Sequence, residues 1–340
     1  MVTGVGVWLV PTPVSAAEGA TCLGVAATIV GTPGDDTITG TEGPDVIEAG
    51  QGDDTILALH GADKICGGGG DDVINAGEGD DVVSAGDGSD EVDGEAGADT
   101  VTAGVGDDRL QGGDDDDYLV GGKGFDLMHG GSGNDTIAYS AEVGPSSVVG
   151  ESHYGDEGDD LLIAGYDDVL YGGAGNDVLT GFNDFPFVGY GGDGNDRLGT
   201  GGVRCERTVC RGLRPTALYG EAGDDVLVPG IYAALLDGGD GNDRLERGER
   251  MVGGPGEDVL LGDVRGDELE GGPGADILRG GRSHDRLFGG DGNDDLDGGI
   301  GADYLDGGPE DGPPGDICDG GRDGPGVDTA VDCEQLVRIP

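Results

Sequence analysis

Aspartate stands at the sixth position of twelve consecutive nine-residue units between residues 31 and 138. The series is Asp36, Asp45, Asp54, Asp63, Asp72, Asp81, Asp90, Asp99, Asp108, Asp117, Asp126 and Asp135. The eighth position is apolar throughout, from Ile38 and Ile47 to Met128 and Ile137. The fourth is glycine in every unit but one, where Asp115 stands. The carboxylate supplies anionic oxygen. The glycine permits positive φ and close backbone approach, which exposes carbonyl oxygen. Calcium takes about six to eight oxygen ligands in flexible geometry, so carboxylates and carbonyls together suit it. Magnesium demands stricter octahedral geometry and zinc prefers nitrogen and sulfur, which these turns do not offer.

The register returns, less regularly, around Asp160, Asp177, Asp196, Asp225 and Asp243. A second unbroken block over 253–306 carries Asp258, Asp267, Asp276, Asp285, Asp294 and Asp303. In the unit 229–237, Ala234 takes the aspartate's place, so that turn is expected to lack a full site. Asp115 at a glycine position implies local strain or an altered ligand. Fifth-position acids such as Asp35, Asp53, Asp71 and Asp107 are expected to face solvent.

Each unit reads as a six-residue turn followed by a three-residue strand that points one aliphatic side chain inward and two side chains outward. A fixed short period is the signature of a solenoid, in which stacked units bury a continuous core that no unit can bury alone. Composition would otherwise indicate disorder. Glycine is 79 of 340 residues, aromatics are 4% and formal charge is −54. Such chains ordinarily bury too little apolar area to offset the entropy of ordering. With 17 Lys and Arg against 71 Asp and Glu, the counter-charge has to come from outside. That excludes nucleic acid and anionic membrane as partners and points to divalent cations. No apolar run approaches the roughly 18 residues of a membrane span.

Units such as Gly67-Gly68-Gly69-Gly70-Asp71-Asp72-Val73-Ile74-Asn75 and Gly130-Gly131-Ser132-Gly133-Asn134-Asp135-Thr136-Ile137-Ala138 resemble the nonapeptide GGxGxDxUx of the RTX family, the haemolysin-type calcium-binding repeat. The units 172–180, 238–246 and 289–297 match it equally well, and recognisable units cover most of the chain. The resemblance implies an all-β fold, a right-handed parallel β-roll (β-solenoid) with about 18 residues per turn, and calcium held between the turns of units n and n+2. Carried onto this chain, it splits the first block into two ladders. One runs through Asp36, Asp54, Asp72, Asp90, Asp108 and Asp126, the other through Asp45, Asp63, Asp81, Asp99, Asp117 and Asp135. About ten sites follow there and about four in the second block. Some fourteen Ca²⁺ would contribute about +28 and halve the net charge.

Six cysteines allow fifteen pairings. The nearest-neighbour choice is Cys22 with Cys66, Cys205 with Cys210 and Cys318 with Cys333. Disulfides imply an oxidising, extracellular setting. Metal ligation by cysteine is the alternative, without a CxxC or Cys/His cluster to support it. Residues 1–17 read as the remnant of a signal peptide, with Val14-Ser15-Ala16 ahead of Ala17 as the cleavage signal, or else as a disordered tail. The remaining divisions are 18–138 with an N-terminal cap, an irregular 139–252, the regular 253–306 and a disulfide-stapled C-terminal cap at 307–340. Residues 139–154 lack the repeat, and 181–190 hold three of the five Phe. Arg204, Arg207, Arg211 and Arg214 belong to a disulfide-stapled hairpin, or alternatively contact an acidic partner.

No HExxH, GxSxG or EF-hand motif is present, and the repeats begin near residue 31. His60, His129, His153 and His284 are read as surface residues rather than catalytic bases. The leading reading is a secreted, non-enzymatic calcium-binding protein that folds on binding its ions, structural or adhesive at the cell surface. The alternative is a secreted hydrolase with its site in 139–252.

Overall fold

The computed structural model describes residues 19–138, 150–165, 167–181, 187–200, 216–229, 233–309, 314–323 and 327–338. Among these the chain forms strands and turns without a helix. Parallel strands stack into two sheets that face each other across a narrow core. Each strand pairs with the one a full turn later, as Val73–Glu78 pairs with Glu91–Ala96 and Val82–Asp87 with Thr100–Val105. The common offset is 18 residues, as in Val73 with Glu91 and Thr100 with Val82. One sheet has sixteen described strands, from Thr37–Thr39 to Thr329–Val331. At about 4.8 Å per strand it makes a rod about 70 Å long. The other sheet runs as an open ladder from Ile29–Val30 to Gln335–Val337. The result is a β-solenoid of the expected class.

The strands are longer than the three residues expected. Most of the regular ones have six, as in Lys64–Gly69, because the first three residues of the following unit continue the extended backbone. Two side chains per strand therefore point inward. The eighth-position row (Ile47, Ile56, Ile65, Ile74, Val83 and their successors) is fully buried. Beside it runs a small-residue row, Ala49, Ala58, Ala76, Ala85 and Ala103, alternating with glycine. Burying one aliphatic side chain contributes about 1.5–3 kcal/mol, repeated at every unit. This row is how a chain so poor in aromatics holds a core. Asp115 takes a positive φ of 78°, the left-handed backbone that its glycine position requires.

The break after residue 138 is shorter than the sequence indicated. Residues 150–158 already belong to the roll, with Ser152–Glu157 paired in register to Leu127–Ser132 before it and to Val169–Ala174 after it. Through the middle of the chain, extra residues enter only at turns leading into the sixteen-stranded sheet: between 138 and 152, 181 and 188, and 200 and 216. The opposite turns stay short, as from 157 to 161, 174 to 178, 193 to 197 and 222 to 226. On the outer face of the sixteen-stranded sheet, His129, Tyr154, Tyr171, Tyr190 and Tyr219 stack face to face. Their ring centroids lie 4.4, 4.7, 5.0 and 4.8 Å apart. This stack spans the turns with the least regular sequence.

Disulfides join Cys22 to Cys66 and Cys318 to Cys333. The Cys205 and Cys210 pair, the neighbouring arginines and residues 1–18 lie outside the described residues. The first bridge closes a loop of sequence separation 44 and ties the N-terminal hairpin to Lys64–Gly69, the third strand of its sheet. Replacing both Cys22 and Cys66 by Ser is expected to lower stability by about 2–4 kcal/mol, chiefly through the unfolded chain's entropy. Urea unfolding of the calcium-loaded variant measures this, and an unchanged midpoint would refute it.

Candidate metal centre

Each ladder aspartate is the last residue of a turn between a strand of one sheet and a strand of the other, a turn of three residues at rungs such as Asp54, Asp72, Asp81 and Asp90. Its Oδ1 accepts the backbone N–H of the aspartate one turn earlier. The Asp54 N–H donates to Asp72 at 2.8 Å, that of Asp72 to Asp90 at 2.9 Å, and that of Asp90 to Asp108 at 2.8 Å. The second ladder repeats this from Asp45 through Asp63, Asp81 and Asp99. The backbone carbonyl is used too, as where the Val73 N–H donates to the Asp54 oxygen at 2.8 Å.

The second ladder does not stop at the irregular middle. It passes from Asp135 through Asp160, Asp177, Asp196, Asp225, Asp243, Asp258, Asp276 and Asp294 to Asp316, each step bridged by the same bond. Only the first ladder is interrupted. After Asp126 its rungs are Glu151 and Asp168, and then the register places Phe187 and Thr216 there, shifts by one residue between Thr216 and Ala217, and reaches Glu249 one rung before Asp267. Aspartates resume with Asp267, Asp285, Asp303 and Asp328. Glu151, Asp168, Asp316 and Asp328 were missed because indels displace them from the nine-residue count. Phe187 is buried, and Gly189 at the adjacent inward position makes room for its ring: a Cβ there would meet Phe187, Leu198 and Leu218.

The remaining oxygen, Oδ2, distinguishes the rungs. At Asp54, Asp63, Asp72, Asp81, Asp90, Asp99, Asp108, Asp117, Asp126, Asp135, Asp160, Asp177, Asp196, Asp225, Asp243, Asp258, Asp276, Asp285, Asp294 and Asp303 it is buried without a hydrogen-bond partner. At Asp36, Asp45 and Asp267 a backbone N–H four residues earlier, from Thr32, Thr41 and Asp263, satisfies it instead. A buried anionic oxygen without a partner costs several kcal/mol unless a cation or proton meets it. The turn leaves room for one. At Gly172 a Cβ would touch both the Asp177 Oδ2 and the Gly191 carbonyl oxygen, so two oxygens converge where a side chain would stand. Gly175 in the same turn has φ +149°, and its Cβ would strike the Gly158 carbonyl. An oxygen-only cradle of carboxylate and carbonyl fits calcium by its donor chemistry.

Burial, reinforced by neighbouring carboxylates, drives these groups toward protonation. Asp99 is pushed up to about 8, Asp117, Asp126, Asp177 and Asp258 to about 7, and Asp72, Asp81 and Asp294 to about 6. Fifth-position acids are exposed as expected, yet they form a ladder of their own. The Asp71 N–H donates to Asp53 at 2.9 Å and the Ser89 N–H to Asp71 at 2.8 Å, in the opposite sense along the rod.

His153 corrects the surface reading of the histidines. It is 0% exposed and occupies an inward slot between Met128 and Leu170, where the pattern calls for an aliphatic. Burial opposes its charge, but the Asp168 and Glu151 carboxylates outweigh that and raise it to about 9.

The family described as the RTX calcium-binding nonapeptide repeat (4 copies) matches residues 30–65, 67–101, 102–137, 154–181, 252–287 and 270–305. These segments cover more than half of the chain. No curated protein matches it.

Proposed function

Because this chain belongs to the RTX calcium-binding nonapeptide repeat family, and is a calcium-binding β-roll protein, we propose that its two aspartate ladders are the ligands and that binding and folding are one event. The ladder aspartates supply Oδ2 and the glycine turns supply carbonyl oxygen. The observation that carries this reading is the row of buried Oδ2 atoms without partners. The continuous second ladder is the principal ion track, and the first contributes where its carboxylates persist. Asp36, Asp45 and Asp267, whose Oδ2 is already satisfied, contribute less. The protein works outside the cell, where calcium is abundant and disulfides persist, as a non-enzymatic structural or adhesive element. Equilibrium dialysis with metal analysis tests the ion track. More than about ten ions per chain are expected, and two or fewer would refute it.

Single rungs can be tested against a neighbour. Asp160→Asn keeps an acceptor for the Asp135 N–H but replaces the anionic Oδ2 with a neutral amide NH2. It is expected to remove at least one calcium and cost about 1–3 kcal/mol. Asp159→Asn, at the exposed fifth position, should stay within about 0.5 kcal/mol and keep every ion. Equal effects of the two substitutions on ion count would contradict the assignment.

A further inference from the structure

We propose that Glu151, His153 and Asp168 form a buried site for one divalent transition-metal cation of the zinc type, separate from the oxygen-only calcium positions. His153 Nε2 lies 3.5 Å from Glu151 Oε2 and 3.5 Å from Asp168 Oδ2. The candidate ligand atoms of the three residues all lie within 4.8 Å of one another. A charge-assisted hydrogen bond would draw nitrogen and oxygen to about 2.8 Å. Two ligands at about 2.0–2.1 Å from a tetrahedral zinc stand about 3.4 Å apart, which is the separation found. Neither imidazole nitrogen has a hydrogen-bond partner, although the side chain is wholly buried.

The surroundings are those of a built site. Asp168 Oδ1 accepts the Glu151 N–H at 3.1 Å and its Oδ2 accepts the Gly165 N–H at 2.5 Å, which fixes the carboxylate plane. Such support around a ligand is typically worth about tenfold or more in metal affinity. The ligand chemistry separates this position from its neighbours. Calcium takes oxygen ligands, whereas an imidazole nitrogen suits zinc, nickel, copper or iron. The site also stands at the last carboxylate rung before Phe187, where the first ladder loses its acids. A cation of higher affinity there would close the ladder's end.

The test uses the full chain in saturating calcium, with Zn²⁺ and Co²⁺ as probes. One zinc per chain should survive desalting, and Co²⁺ should give the visible absorption of a low-coordinate site with nitrogen. His153→Gln should weaken Zn²⁺ binding about 100-fold or more and leave the calcium count unchanged. His60→Gln should change nothing, although its imidazole lies 3.3 and 3.4 Å from Glu42 and Glu78 on the surface. X-ray absorption of the zinc-loaded wild type supplies a readout that needs no variant: a shell with one histidine nitrogen and carboxylate oxygens supports the site. No zinc uptake by the calcium-loaded protein, an all-oxygen shell, or uptake that follows His60 would each overturn it. Loss of zinc uptake with calcium binding intact removes this site alone and leaves the ladders standing.

Discussion

Stripped of calcium at pH 8, the chain is expected to lose its β signature and expand several-fold, toward the radius of gyration of about 65 Å for an unfolded chain of this length. Successive rungs of a ladder are one strand spacing apart, about 4.8 Å. Two bare carboxylates at that distance repel by roughly 3 kcal/mol at the effective dielectric of a protein surface. The repulsion recurs along the rod, in a molecule of formal charge −54 with 17 basic side chains. The core cannot offset it, because each unit buries one aliphatic residue and one Ala or Gly. Calcium that binds only the folded form would reverse the balance. Circular dichroism and small-angle scattering before and after metal removal read both changes. A metal-free chain that keeps its spectrum and dimensions would show that the roll stands without ions.

Acid should partly replace calcium. The ladder carboxylates ordinarily titrate near 3.8, and in the metal-free roll burial raises them to between about 6 and about 8. A group raised on folding takes up a proton when the chain folds. Its stabilising contribution is therefore complete below the unfolded value and lost as pH climbs through the folded one. The window runs from about 4 to about 8. Metal-free protein moved from pH 8 to pH 5.5 should regain β structure and melt cooperatively. Calcium-loaded protein should show the opposite trend, because protons compete for the same oxygens. Metal-free protein that is equally disordered at both pH values would rule out this linkage.

The fold and both ladders were legible because three positions repeat without slip: Asp72, Ile74 and Gly70 recur as Asp90, Val92 and Gly88 one turn later. Period alone carries that information. Where the chain gains or loses a residue the count fails, although the stacking does not. Asp168 follows Glu151 by 17 residues and still occupies the next rung, because register is set by strand pairing and not by sequence distance. The tyrosine stack escaped notice for the same reason, its members falling at unequal intervals at Tyr154, Tyr171, Tyr190 and Tyr219. His153 was unreadable because a polar residue in an aliphatic slot looks like a break in the pattern. Only the arrival of Glu151 and Asp168 beside it in space gives the exception a cause.

The uneven placement of the extra residues bears on how such a rod changes over generations. Every lengthened connection in the middle leaves from one margin, and the opposite margin keeps its short turns and unbroken row of aspartates. One side is thus free to vary while the other preserves the molecule's grammar. A foreign segment spliced after residue 138, 181 or 200 would hang from the permissive margin without re-registering a single later strand. The rod can therefore serve as a graduated support for display, on which inserted peptides stand at multiples of the strand spacing along a straight line.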